Sequence, residues 1–146
     1  MIVIFKEKSI YKYLRVSKKS LAKVFKIFSE RDNLIIVIMV AKIQGFYSRM
    51  CTTNLDIKKM FLVTYNENDV VSVNDLQTAV EMFKGKGKQI KLVSDRESDR
   101  LAAEALNVSY IFLGKKSKKN QITTIKDISL LPNILGINSI ITKTRG

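Results

Sequence analysis

The chain has 146 residues, of which 46% are hydrophobic and 27% charged, a composition typical of one globular domain and not of a disordered segment. It has no histidine and one cysteine, which excludes Ser-His-Asp and Cys-His catalysis, histidine-ligated zinc and an internal disulfide. Lys and Arg total 26 against 13 for Asp and Glu, and the formal charge of +13 favours a polyanionic partner such as nucleic acid.

No segment of the sequence is expected to enter a membrane. Residues 1–5 are apolar but too short for a signal peptide, and the apolar run at residues 34–41 is too short to span a bilayer. We therefore expect an intracellular, cytoplasmic protein that is associated with the nucleoid and has no membrane partner.

The first half of the chain alternates apolar runs with amphipathic segments. Residues 1–5 are a short candidate strand, and Ser17 is a candidate N-cap for the helix that follows it. That helix is predicted by an apolar stripe with helical spacing, at Leu21, Val24, Phe25 and Phe28. Next we expect a strand at residues 34–41, a turn at 42–45, a short helix to about residue 53 and a strand at 59–65.

The second half continues the alternation. Ser72 and Asp75 resemble a capping box before a helix whose inward residues are Leu76, Ala79, Val80 and Phe83. Strands are predicted at residues 89–94 and 109–113. A helix is predicted between them, at 95–107. Its inward residues are expected to be Leu101, Ala102, Ala105 and Leu106. After a basic loop we expect a helical segment at 125–135, interrupted near Pro132, and a last strand at 137–142.

This order of elements predicts one α/β domain over residues 1–146. The predicted architecture is a three-layer sandwich around a mostly parallel central sheet, because buried apolar strands alternate with amphipathic helices. Ligands of such sheets bind at the carboxyl ends of the strands. Here those ends are expected near residues 42–45, 65–69, 95–99 and 114–119.

The segment at residues 21–50 resembles the start of the DHH phosphoesterase family, which includes the RecJ nucleases. That family opens with an amphipathic helix, an apolar strand and a loop of the form His-x-Asp-x-Asp-Gly-x-x-Ser. The corresponding positions here are Val40, Lys42, Gln44, Gly45 and Ser48. The glycine and the serine are present, whereas the histidine and both aspartates are replaced.

Two further family motifs fall on later strand ends. The family's second motif is an aspartate closing the next strand, where this chain has Thr64 to Asn66 in the run FLVTYN. Its third motif is Asp-His-His after a helix, a Gly-Lys turn and a strand, where this chain has Asp95, Arg96 and Glu97. Only Asp95 matches, and the resemblance extends over roughly residues 21–97.

The resemblance implies a DHH-like domain without catalysis. In the family these acids and histidines hold two metal ions that activate water, and Lys42 at a ligand position would repel a cation. Non-catalytic RecJ-like proteins serve in archaea and eukaryotes as a subunit of the replicative helicase, beside the MCM ring and the GINS complex. The resemblance therefore implies no metal and no cofactor, GINS and MCM as partners, and single-stranded DNA as a further ligand.

A second resemblance is to the haloacid-dehalogenase-like phosphatases. The run SDRESD matches their magnesium-holding Ser/Gly-Asp-x-x-x-Asp element, which makes Asp95 and Asp99 alternative metal ligands in a Rossmann-like fold. The best candidate for the family's nucleophilic Asp-x-Asp loop is Lys6-Glu7-Lys8, where lysines replace both aspartates. Without that carboxylate no phospho-aspartyl intermediate forms. We prefer a structural interpretation, in which Asp95 caps a helix and Asp99 lies in its first turn.

The basic loop after the fourth predicted strand supplies the candidate nucleic-acid-binding residues, Lys115, Lys116, Lys118 and Lys119. Aromatic candidates for base stacking are Phe46, Tyr47 and Tyr65, although we expect Phe46 and Tyr47 in the core.

The favoured hypothesis is therefore a non-catalytic interaction subunit in DNA replication. The alternatives are a divergent magnesium-dependent phosphatase and a stand-alone nucleic-acid-binding module.

Overall fold

The computed structural model describes residues 1–51, 53, 55, 60–65, 70–83, 89–114 and 123–137. Within them, six strands form one parallel sheet in the order β3-β2-β1-β4-β5-β6. The strands are β1 (Ile2–Lys6), β2 (Ile35–Val40), β3 (Met60–Thr64), β4 (Ile90–Ser94), β5 (Ser109–Leu113) and β6 (Thr123–Ile125). The middle strands are continuous apolar runs because helices cover both of their faces.

All the described helices but the last lie in the connections between successive strands, and the last one follows β6. They are α1 (Glu7–Val16), α2 (Lys18–Ser29), α3 (Ile43–Met50), α4 (Val73–Glu81), α5 (Arg100–Ala105) and α6 (Leu131–Ile134), with 3₁₀ turns at Glu97–Asp99 and Ile128–Leu130. The predicted α/β class with a parallel central sheet is confirmed. In the described part of the chain, no helix combines the length and the apolar character needed to cross a bilayer.

Strand β1 shows how the sheet separates two apolar layers. Val3 and Phe5 point to the layer that holds α1 and α2, where Phe25 packs edge-on against Phe5 at a ring distance of 6.1 Å. Ile2 and Ile4 point to the opposite layer, which contains the inward residues of α4 and α5. Lys6 continues this second set by the alternation of a strand, so its side chain is directed toward α5.

Several helix predictions are confirmed in place and refined in detail. The capping box at α4 is present, since the backbone N–H of Asp75 donates to Ser72 Oγ at 3.1 Å. Ser17 precedes α2 as predicted, although its hydroxyl donates to Ser20 Oγ and accepts no capping hydrogen bond from the helix backbone. Residues 43–45, predicted as a turn, belong to the first turn of α3.

Other predictions were wrong. Helix α1 was not predicted, because its buried face includes the polar residues Glu7 and Ser9. The short strand β6 was not predicted either. Leu101 is 60% exposed and Ala105 is exposed, because α5 begins at Arg100 and turns Ala102 and Ala103 inward. Pro132 lies in the first turn of α6, where proline is tolerated, and does not interrupt a helix. The predicted strand at 137–142 lies outside the described residues, except for Ile137.

Candidate functional site

The strand order creates a crevice at the carboxyl edge of the sheet. The chain proceeds outward from β1 to β2 and β3, then returns to place β4 on the other side of β1. In doubly wound sheets this reversal leaves a gap between the connections that follow the two adjacent strands, and ligands bind there. The residues that follow β1 and β4 are therefore the first candidates for function.

The end of β1 carries a buried ion pair. Lys6 Nζ lies 3.0 Å from Asp99 Oδ2, and the two side chains are 2% and 0% exposed. The other oxygen, Asp99 Oδ1, accepts a hydrogen bond of 2.7 Å from the backbone N–H of Val71. Both oxygens of this carboxylate are thus engaged by the protein, and the pair ties β1 to α5 and to the start of α4.

Glu7 holds the neighbouring strand end in place. Its Oε1 accepts from the backbone N–H of Ala41, just after β2, at 2.8 Å, and its Oε2 accepts from the Tyr11 hydroxyl at 2.9 Å. Burial and the hydrogen bond to Glu7 raise the pKa of Tyr11 far above its ordinary value, so the phenol stays protonated and keeps donating. The Arg49 guanidinium lies over the Tyr11 ring, 4.2 Å from its centroid.

Asp95 is the carboxylate that follows β4. Its Oδ1 accepts from the Ser9 hydroxyl at 3.1 Å, and its Oδ2 lies 3.7 Å from Lys12 Nζ. Lys12 is 46% exposed and Asp95 is 24% exposed. An exposed ion pair at that distance is weak, so Lys12 is available to exchange Asp95 for an anionic ligand.

The turn after β4 is fixed by side-chain to backbone hydrogen bonds. The Tyr110 hydroxyl donates to the carbonyl of Arg96 at 2.6 Å and lies 2.7 Å from Ser94 Oγ. Burial raises the pKa of Tyr110 well above its ordinary value, so this donor persists at neutral and moderately alkaline pH. Asp95 therefore projects from a constrained turn.

Two adjacent cavities open at this edge. The larger, about 480 Å³, is lined by Lys8, Tyr11, Lys12, Leu14, Arg15, Arg49 and Asp95. The smaller, about 200 Å³, is lined by Glu7, Tyr11, Ala41, Lys42, Gly45 and Arg49. Tyr11 and Arg49 belong to both. We call the larger one the cationic cavity, because four of its seven lining side chains carry positive charge and one carries negative charge.

The residues predicted from the DHH-like motifs do lie at this edge, but few of them line a cavity. Lys42 and Gly45 line the smaller cavity and Asp95 lines the cationic cavity. The predicted residues that line neither are Gln44, Ser48, Thr64, Arg96 and Glu97. Gly45 is not needed for its backbone freedom, since a Cβ there would approach nothing closer than Lys42 Cβ at 3.9 Å.

The structural interpretation of the two aspartates was wrong for Asp95. Asp95 bonds to Ser9 and Lys12 on α1 instead of capping a helix, and the residue at the N-cap of the 3₁₀ turn is Arg96. Asp99 lies in the 3₁₀ turn that leads into α5, as expected, and is in addition the fully buried partner of Lys6. The two carboxylates are engaged in separate interactions and do not converge on one position.

The stacking candidates divide between core and surface. Phe46 is buried as expected and Tyr65 is also buried, whereas Tyr47 is 51% exposed, contrary to the prediction. None of the three lines either cavity. The candidate nucleic-acid-binding lysines, Lys115, Lys116, Lys118 and Lys119, lie outside the described residues.

The sequence did not single out Lys12, Arg15 and Arg49, which contribute most of the charge of the cationic cavity. The usable signal was the spacing of Lys8, Lys12 and Arg15 at i, i+4 and i+7, which places them on one face of a helix. That spacing indicates a shared face only if the segment is known to be a helix, and α1 was not predicted. Arg49 comes from α3, and no local pattern connects it to α1.

Among the described residues, no group of three or more histidine, cysteine, aspartate or glutamate side chains is arranged to hold a metal ion. Comparison of the chain with protein-family models, with curated proteins and with solved structures finds no match.

Proposed function

We propose that this chain is a non-catalytic interaction subunit that binds nucleic acid. The observation that supports this most strongly is Lys6, a buried cation at the end of a middle strand of the sheet, paired with Asp99. Metal-dependent phosphoryl transfer needs carboxylate oxygens at its metal. Here the resemblance to the haloacid-dehalogenase-like phosphatases places Lys6 where that family has an aspartate, and Lys6 pairs with the buried carboxylate of Asp99.

The remaining carboxylates of the crevice support the same proposal. Glu7 accepts from Ala41 and Tyr11, and Asp95 accepts from Ser9. Each acid therefore serves a structural contact between the connections that follow β1, β2 and β4. A site built for a divalent ion would instead direct several of these oxygens to one point.

Positive charge is the observation that favours nucleic acid as the ligand. The formal charge of +13 and the cationic cavity at the ligand-binding edge both suit a phosphate-bearing partner. The more specific role, a RecJ-like subunit that contacts GINS or the MCM ring, is a proposal supported by the sequence resemblance alone. It predicts that the purified chain retains GINS or MCM from an archaeal extract.

The test is binding of a labelled single-stranded oligonucleotide, followed by fluorescence anisotropy at increasing salt. If the chain contacts about four phosphates, affinity will fall about 50-fold between about 50 and 200 mM salt, because bound cations release condensed counterions. The oligonucleotide will remain intact in the presence of Mg²⁺ or Mn²⁺.

The same assay distinguishes the competing functions. Cleavage or dephosphorylation that requires Mn²⁺ or Mg²⁺ and is lost in Asp95→Asn would establish the divergent phosphatase or nuclease and refute the proposal. Absent or salt-insensitive binding would exclude nucleic acid as the ligand.

A further inference from the structure

We infer that the cationic cavity is a binding site for the phosphate group of a single nucleotide unit. This inference rests on the proposed function and makes it specific, because it assigns the most strongly held of the contacted phosphates to one cavity. The cavity volume of about 480 Å³ is in the range typical of small-ligand pockets and suits one nucleotide and not an extended strand.

One wall of the cavity is a row of cations on α1. Lys8, Lys12 and Arg15 recur at four- and three-residue intervals, so they lie above one another on the same face of the helix. All three side chains are exposed, and all three line the cavity. The row extends over about 10 Å at 1.5 Å per residue, and a phosphate anywhere along it is within reach of two of these cations.

A fourth cation that lines the cavity is Arg49 on α3, whose position is set by a chain of contacts. Glu7 accepts from the Tyr11 hydroxyl, and the Arg49 guanidinium lies over the Tyr11 ring. A guanidinium held in one plane presents paired N–H donors that match phosphate oxygens. Glu7 and Tyr11 are thus positioning residues for Arg49.

Asp95 is the only carboxylate among the lining residues, and it limits anion affinity. It engages Lys12 at 3.7 Å, so a bound phosphate must share or take over that lysine. Asp95 therefore competes with a bound anion for Lys12, and removal of the Asp95 charge should strengthen anion binding. A metal site at the same place would respond in the opposite way, since Asp95 would then be a ligand.

The test compares two double variants that remove the same charge. The cavity variant, Lys12→Ala with Arg15→Ala, removes two of the four cations that line the cavity. The α2 variant, Lys19→Ala with Lys23→Ala, removes two exposed lysines from α2, outside the cavity. The probe is a 3′-labelled oligothymidylate of about ten nucleotides, carrying a 5′-phosphate or a 5′-hydroxyl, with AMP as competitor. Circular dichroism and a melting curve confirm that each variant is folded.

The cavity variant should bind about ten-fold or more weakly than the wild type, because it loses charge-assisted hydrogen bonds, and the α2 variant should lose much less. Asp95→Asn, which retains an acceptor for Ser9, should bind about five-fold more tightly by Coulomb's law at short range in a largely aqueous site. If AMP displaces the probe, a free nucleotide is sufficient for binding. If the probe with a 5′-phosphate binds more tightly than the probe with a 5′-hydroxyl, the cavity binds the phosphate at a strand end.

Equal losses in the two double variants would overturn the inference, because binding would then depend on diffuse charge, while the proposed function would stand. Weaker binding by Asp95→Asn would also overturn the inference alone. Absence of binding by the wild type would overturn the inference together with nucleic-acid binding in the proposed function. Metal-dependent cleavage of the probe would instead refute the proposed function. These failures are therefore distinguishable.

Discussion

Replacing Lys6 with methionine will lower the free energy of unfolding by about 3–5 kcal/mol, because it leaves the Asp99 carboxylate buried without its cation. Methionine has a similar length and an apolar end, so the loss of stability reports on the missing charge and not on empty space left in the core. This is a large part of the 5–15 kcal/mol typical of a domain. Urea unfolding followed by circular dichroism measures it.

Two variants control this measurement. Glu104→Ala breaks the exposed pair between Arg100 and Glu104, and it should cost less than about 1 kcal/mol, since surface pairs contribute little. Lys6→Met combined with Asp99→Asn should recover part of the loss, because the asparagine still accepts from Val71 N–H and carries no charge. A loss below about 1 kcal/mol for Lys6→Met alone would contradict a buried ion pair.

Replacing Glu7 with alanine will lower the free energy of unfolding by about 3 kcal/mol, since two hydrogen bonds to a charged acceptor are lost together. The backbone N–H of Ala41 and the Tyr11 hydroxyl lose their acceptor at the point where α1 meets the end of β2. Loss of this support should also release Arg49 from its position over Tyr11. Chemical denaturation gives the stability, and the anisotropy assay reports on the cavity.

Glu7→Gln is the matched control for this second prediction. Its amide oxygen still accepts from Ala41 N–H, and its amide nitrogen donates to the Tyr11 hydroxyl, which then acts as acceptor. The glutamine variant should therefore retain most of the stability that alanine loses. If glutamine and alanine were equally destabilising, the carboxylate charge and not the hydrogen bonds would be responsible.

The strands other than β6 could be predicted from the sequence, because a strand buried on both faces is a continuous apolar run. The runs IVIFK and IIVIMV illustrate this, and they occupy β1 and β2. Helix α1 could not be predicted by an apolar stripe, since its inward side includes Glu7 and Ser9, which are buried because they bond to Ala41 and Asp95. Strand β6 has only three residues, too few for a period to be read.

The location of the site was predictable, whereas its chemistry was not. Turn positions after apolar strands placed Lys42, Gly45 and Asp95 at the carboxyl edge, where they lie. The pairing of Lys6 with Asp99 joins residues 93 positions apart, and nothing in either segment reveals its partner. The spacing of Asp95 and Asp99 matched a magnesium element, yet their oxygens are bonded to different parts of the fold.

The two edge aspartates therefore have roles that a motif alone would not assign. Asp99 secures the junction of three elements, and Asp95 sets how strongly Lys12 is held. Under the proposed function, buried ion pairing and cationic side chains occupy this edge of the sheet in place of metal ligands, and the edge binds anions without converting them.

A crystal of the protein soaked in manganese and measured at the manganese absorption edge tests whether this edge of the sheet holds a metal ion. We expect no anomalous peak among Lys6, Asp95 and Asp99, and an unchanged contact between Lys6 Nζ and Asp99 Oδ2. A manganese ion coordinated by Asp95 and Asp99, with Lys6 displaced, would refute the proposal that the edge binds anions and not a metal.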